Sequence, residues 1–559
     1  MRGRAGIFYL AGLVIGLIVF VTVTPLVVPV ERVRSGVARA LSSYAGVRLT
    51  LDGPAAVRLF PAPEVEFRDV VATAETGRRV IAADRVRVSV DLIQLVLGRA
   101  PVATVDLIRP DLRLSASALP DLLLRDRLAR VQPMALRIED GRATVVDDAD
   151  REIDRLERIA ADFAWERPTA RLRLGASFVR RGQTVAVTLQ GIGPRALAQG
   201  ETGNLSLNLT TPAGRLALAG QVMAVDRLMI EGALSISASR PLALARWLAG
   251  APAATFDLGE GTLDGRLKLV GNSATLTGAN ITLGSAKGEG ILSAQWDGGR
   301  PLLRGTVDFD AVTVSAADAG WLAPTAVELL AAPELLRRTD LDLRLSTERL
   351  RAETVDFTQV GVTVVVKDGQ VVCQIAEAQI AGGDMSARLV AQPAGTAARL
   401  AIDISADRVE VGRLAALLGR SEPKAGVLTG EVRLEALAAP APTQITALSG
   451  RAQARVKAMR FSVTPDWLLP TADAGRGGSL AFDTVATEAT LAGTLATIGR
   501  LTADGPGPGL TLAGTVDLAK GTLSLAGVRS LPGPARQSAV SALRLGGALT
   551  RPTAVVGVP

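Results

Sequence analysis

The side chains that most often do chemistry are scarce or badly placed in this sequence. There is no histidine among the 559 residues. That removes the commonest general base and the commonest metal ligand, and with them Ser-His-Asp or Cys-His catalysis. The single cysteine, Cys373, excludes an internal disulfide, and its setting, Val371-Val372-Cys373-Gln374-Ile375, reads as a small residue in an apolar strand. The acidic run Asp147-Asp148-Ala149-Asp150 lacks the alternating ligands and the closing glutamate of a calcium loop, so it reads as a polar hairpin turn. Gly505-Pro506-Gly507-Pro508-Gly509 is no phosphate loop, because no Lys-Ser/Thr follows and its prolines lack backbone donors. Trp165, Trp247, Trp296, Trp321 and Trp467 share no spacing and default to packing. No carboxylate pair stands out as a glycosidase pair. The chain reads as no enzyme, with no catalytic residue, metal or cofactor.

Charge excludes another class. There are 62 basic and 55 acidic residues, and the basic ones are spread along the chain and not gathered in clusters. Aromatics make up 3 %, too few for base-stacking platforms, so nucleic acid is not an expected partner.

What remains is the elements themselves. Arg2 and Arg4 precede 24 uncharged residues, Ile7 to Val30. As a helix these would reach roughly 36 Å, enough to cross a bilayer core of about 30 Å. The run is too long for a signal peptide, and Thr22-Val23-Thr24-Pro25 makes a poor cleavage site. Residues 1–30 are therefore read as a transmembrane anchor. Arg32, Arg34 and Arg39 follow it, so charge alone does not orient it. Val33, Val37, Ala40, Leu41 and Tyr44 fall at helical spacing, and Gly46 stops that helix.

From there the period becomes two. Strands alternate through 47–114, interrupted by a short helix from Asp91 to Leu97. Pro120 to Val131 reads as another helix, and further ones are expected at 242–248, 321–338 and 411–418. Elsewhere the aliphatic residues alternate with polar ones for over 400 residues. Leu172, Leu174 and Phe178 set the pattern, followed by Val185, Val187 and Leu189, then Leu205, Leu207 and Leu209. Leu216, Leu218, Leu234, Ile236, Leu267, Leu269, Leu343, Leu345, Leu400, Ile402 and Ile404 continue it. Each strand therefore has one aliphatic and one polar face. Such a face must be covered. It can pack on another layer, or curl into a trough that holds acyl chains. The predicted helices are few and short for so many strands, which favours the trough. About 25 strands at about 4.8 Å would span roughly 120 Å.

The block 46–112 resembles the N-terminal region of the AsmA family of bacterial envelope proteins. The resemblance is carried by Gly46-Val47-Arg48-Leu49, Gly53, Phe60-Pro61-Ala62-Pro63-Glu64-Val65-Glu66-Phe67-Arg68-Asp69-Val70, and Ala83-Asp84-Arg85-Val86-Arg87-Val88-Ser89-Val90 leading into Leu92 to Gly98. Val105-Asp106-Leu107-Ile108-Arg109-Pro110-Asp111-Leu112 closes the block. Later matches are Gly382 to Ala387, Gly426 to Val432, Leu512 to Leu518 and the closing Leu545 to Pro552. The stretch 130–370 is similar only in pattern.

The resemblance implies a mainly β fold: a long, twisted, repetitive antiparallel sheet curled into a groove, with a few short helices and one N-terminal transmembrane helix. It implies an anchor at 1–30, an AsmA-like N-terminal domain at 31–130, an extended β-groove at 131–370 and an AsmA-like C-terminal region at 371–559. The N-terminus would be cytoplasmic and the body periplasmic, held by the inner membrane as a single-pass protein. The expected function is binding or transfer of lipid, notably phospholipid, in support of outer-membrane biogenesis. The alternative is an assembly factor for outer-membrane proteins, whose partners would be envelope proteins and not lipids.

Overall fold

The computed structural model describes residues 48–557 apart from 51–54, 59–63, 74–78, 91–101, 116–134, 148, 167–170, 225–226, 250–258, 297–299, 315–338, 353–354, 396, 441–442, 463–478, 507, 532–538 and 550. The expected anchor at 1–30, the helix after it, and the helices expected at 91–97, 120–131 and 321–338 lie outside these residues. No helix among the described residues is long and apolar enough to cross a membrane.

Alternation of aliphatic and polar residues over long stretches leaves little choice but strand, and the fold is mainly β. Three short helices accompany the strands among the described residues: α1 (Pro194–Ala198), α2 (Pro241–Ala249) and α3 (Val411–Leu417). The last two match helices expected from the sequence. The first was not expected, because five residues are too few to show a helical period.

The chain divides into two compact units, the first comprising residues 1–244 with 262–274, the second 245–261 with 275–559. The first holds β1 (Arg48–Thr50), β2 (Ala55–Arg58), β3 (Glu64–Thr73), β4 (Arg79–Val90), β5 (Val102–Ser115), β6 (Ala135–Val146), β7 (Glu152–Glu166), β8 (Arg171–Arg180), β9 (Gln183–Ile192), β10 (Gly203–Thr211), β11 (Gly214–Ala224), β12 (Leu228–Ala238) and nearly all of β13 (Gly261–Val270). From β3 to β12 each strand pairs with the next, and β1 and β2 both pair with β3.

β14 (Ser273–Leu283) spans the end of one unit and the start of the other. The second unit then runs through β15 (Ala286–Gln295), β16 (Leu302–Val314), β17 (Asp340–Ala352), β18 (Val355–Lys367), β19 (Gln370–Ile380), β20 (Gly383–Ala394), β21 (Ala397–Glu410) and β22 (Ala425–Pro440). It continues with β23 (Thr443–Phe461), β24 (Leu480–Ala492), β25 (Leu495–Asp504), β26 (Gly509–Asp517), β27 (Thr522–Leu531), β28 (Ala539–Ala548) and β29 (Arg551–Gly557). These too pair in chain order.

The expected antiparallel order breaks twice. β5 pairs parallel with β6, and β16 parallel with β17. Parallel neighbours need a crossover of a dozen or more residues, where a hairpin needs only a few. The two breaks fall at the long connections 116–134 and 315–339, where the sequence carries its longer helix candidates.

Irregularities bend the strands. Asp69, Arg109, Asp140 and Arg158 in β3, β5, β6 and β7 take left-handed backbone, as do Gln359 and Arg408 in β18 and β21. Register shifts beside Arg158, Gln359 and Arg408 mark them as bulges, which increase local twist and turn the strand. At Gly220 and Gly232, opposite each other in β11 and β12, the strands approach so closely that a Cβ on Gly220 would lie 2.1 Å from the Glu231 carbonyl oxygen. No side chain fits there.

Packed cores occupy one part of each unit. In the first, Phe67 and Val88 are fully buried, with Val65, Val86 and Val105 beside them. In the second, Leu480, Phe482, Leu510, Leu512, Leu525, Leu543 and Leu545 form one buried cluster across β24 to β28.

Candidate functional site

In a ladder, directly opposed residues point to the same face. The register therefore decides whether aliphatic residues from separate strands share a surface. In the first unit they do. Phe163, Leu174, Leu189, Leu207, Leu218 and Leu234 stand opposite one another across β7 to β12. Ala161, Ala176, Val187, Leu209, Leu216 and Ile236 form the next row. Trp165, Leu172, Gly191, Leu205, Gly220 and Gly232 form a third, whose glycines occupy the tight approach described above. Phe178 faces Val185 one step beyond these rows. Leu267 and Leu269 alternate with Asp264, Arg266 and Lys268 in β13, and Arg266 reaches Glu231 at 3.7 Å on the polar side.

The second unit repeats the arrangement. Leu292, Gly305, Leu343, Val364, Cys373, Leu389, Ile402, Leu434, Gly450 and Leu491 form one row from β15 to β24. Val307, Leu345, Val362, Ile375, Ala387, Ile404, Val432, Ala452, Ala489 and Ile498 form its neighbour. Ile498 then faces Gly514, Leu525 and Leu545 in succession, so this row runs into the packed core of β24 to β28.

Burial separates these rows from an ordinary core. Of the twenty lining residues expected from the sequence, Val185, Leu218 and Leu400 are buried and the other seventeen are half-buried. Leu400 belongs to a small core with Val366, Val371, Ala391, Ala398 and Ala436. A second protein layer over the rows would bury such side chains as completely as Leu543 or Phe67. Helix α2 reaches this side at the Gly214 end of β11, where Leu244 would lie 3.0 Å from a Cβ on that glycine, and the rows of β8 to β12 stay half-buried apart from Leu218. Neighbouring side chains within the face shield one another and leave its surface open.

The opposite face is polar and makes its own pairs. Arg137 meets Asp162 at 3.3 Å, Arg109 meets Asp84 at 2.8 Å, and Arg351 meets Asp356 at 2.7 Å. A hollow of about 710 Å³ on this side is lined by Gln221, Glu231, Ser235, Asp264 and Arg266 among others. Exposed ion pairs of this kind contribute little to stability, typically about 0–1 kcal/mol each. They keep this face in water.

Polar groups stand at the rim of the apolar face in the first unit. Arg180, two residues after Phe178, lies opposite Leu156 in β7 and Gln183 in β9. Its Nε donates to Asp154 Oδ2 at 2.6 Å, and Arg181 Nε lies 3.8 Å from Asp154 Oδ1. Nothing in the sequence marks these residues, because a charge at a strand end is ordinary.

Cys373 lies half-buried in a lining row, and burial pushes its thiol above the ordinary value. The acidic run forms the turn expected of it: Asp147 Oδ1 accepts from the backbone N–H groups of Ala149 and Arg151, and the neighbouring Arg151 holds its carboxyl below the usual range. No cluster of three or more metal-ligating side chains occurs among the described residues. No protein-family model, curated protein or solved structure matches this chain.

Proposed function

We propose that this chain is a membrane-anchored protein of the bacterial envelope that binds or transfers lipid along its apolar face. The observation that carries the reading is the register: aliphatic residues from six successive strands, β7 to β12, stand in rows that are half-buried except at Trp165 and Leu218. Such a surface suits acyl chains. Each methylene taken out of water onto it contributes about 0.8 kcal/mol. The same methylene arriving from a bilayer core gains almost nothing, because both surroundings are apolar. A lipid is therefore held against water yet exchanges readily with a membrane. The uncharged run Ile7 to Val30 would hold the face at its lipid source. On the AsmA resemblance, that source is the inner membrane, with the N-terminus cytoplasmic and the body periplasmic. The cargo is then phospholipid moving in support of outer-membrane biogenesis.

The test is lipid capture by the purified full-length protein, measured by native mass spectrometry and lipid extraction. Leu174→Glu with Leu207→Glu should abolish capture while the circular dichroism spectrum stays β-rich. Equal capture by the variant and the parent would overturn the reading.

A second reading rests on the last strand. β29 pairs with β28, and Val555 and Val556 remain 67 % and 41 % exposed. Among the described residues β29 has β28 as its one ladder partner, and an apolar strand paired on one side can add a client strand, as an assembly factor for outer-membrane proteins would. Crosslinking from Val555 discriminates: a protein adduct supports this reading, and a lipid adduct from the rows supports the first.

A further inference from the structure

The apolar rows of the first unit give way to polar groups at one rim, and a lipid has the same gradient. Beyond the Phe178 and Val185 pair, Arg180 and Arg181 converge on Asp154 at 2.6 Å and 3.8 Å. Arg180 and Asp154 each keep 18 % of their side-chain surface exposed, so this pair is not an ordinary solvated one, and Arg181 stands beside it on the exposed turn. Gln183, the partner of Arg180 in the ladder, has its Oε1 buried without a donor. Burying an amide oxygen without a donor is costly, and a ligand donor would remove that cost.

Resting on the lipid-binding reading, we propose that this rim is a head-group site for a phospholipid carrying a primary amine. The planar guanidinium groups of Arg180 and Arg181 match a phosphodiester, which they bind through charge-assisted hydrogen bonds. The amine donates to Gln183 Oε1 and to the carboxylate of Asp154. The acyl chains then run from the Phe178 and Val185 pair onto the Leu174, Leu189 and Leu207 row. No covalent step is involved.

The experiment offers full-length protein vesicles of phosphatidylethanolamine, phosphatidylglycerol and diacylglycerol in equal amounts with matched acyl chains. Captured lipid is quantified by mass spectrometry. The parent should take phosphatidylethanolamine about tenfold over diacylglycerol, as one or two charge-assisted bonds would give. The variant Asp154→Asn with Arg180→Gln and Arg181→Gln removes both signs together, so no buried charge is stranded. It should lose the phosphate preference while its total acyl load stays within about twofold. Gln183→Leu should lose only the preference of ethanolamine over glycerol. Head-group ratios unchanged in both variants, with lipid still bound, would overturn the rim site and leave the lipid-binding reading standing. A parent that captures no lipid of any class would overturn both.

Discussion

Leu174 and Leu189 stand directly opposite one another in the β8 to β9 ladder, both half-buried on the face that Leu207 and Leu218 extend. Their neighbours across the pleat, Arg173 and Thr188, are exposed. A charge on one side of this pleat should therefore behave differently from a charge on the other. Leu189→Lys should abolish lipid capture with little loss of stability, because the lysine stem can lie along the face and lift its ammonium to water. Thr188→Lys should leave both unchanged. Lipid extraction and thermal unfolding of the two variants side by side check this.

The cores should respond in the opposite sense. Leu543 is 0 % exposed in the cluster of β24 to β28. Leu543→Ala should cost about 2–5 kcal/mol, the usual range for emptying a packed site. Leu207→Ala, on the open face, should cost about 1 kcal/mol or less. Denaturant titration measures both. Equal costs would mean that the rows are packed as tightly as the core.

Backbone approach gives a third expectation. A Cβ on Gly220 would meet backbone atoms of β12 at 2.1 Å and 2.4 Å, whereas one on Gly361 would meet nothing within 4 Å. Gly220→Val should unfold or severely destabilise the first unit. Gly361→Ala should be close to neutral. Limited proteolysis with a thermal scan separates the two.

Two titratable groups give pH dependence. Burial alone would raise the Glu66 carboxyl, but Arg68 and Arg87, each at 3.4 Å, overcome it and hold the group below its ordinary value. A carboxylate with a depressed folded pKa stabilises the fold above the unfolded value near 4.3, and that stability is lost as pH falls through the folded pKa. Glu66→Gln should therefore flatten the acid limb of a stability-against-pH curve. Cys373 has the opposite sign. Its thiol is raised by burial, so its contribution is full below the unfolded value and lost as pH rises through the folded one. Because the thiolate is the nucleophile, maleimide labelling of this single cysteine should be slow at neutral pH. It should quicken as pH rises and slow again when lipid covers the row. Labelling rates with and without vesicles check it.

Much of the fold was legible because alternation is a local signal. The strands, and the aliphatic face that each of them carries, follow from residues two apart, and the helices at 241–249 and 411–417 from steps of three and four. The parallel pairs were not legible, because antiparallel and parallel strands carry the same alternation. The bulges at Arg158 and Arg408 were hidden because arginine gives no sign of left-handed backbone. Nor could alternation separate Leu543 from Leu207, since both sit at the same phase of a strand. The rim at Asp154, Arg180 and Gln183 needs register between three strands, and no single strand contains it.

Positions 207 and 208 are neighbours on opposite faces, Leu207 in a lining row and Asn208 exposed. A photo-crosslinking amino acid placed at each in turn, in full-length protein in its native membrane, tests the lipid-binding face directly. A lipid-mass adduct at position 207 and none at position 208 is the expected result. No lipid adduct at position 207, or equal adducts at both, would contradict it.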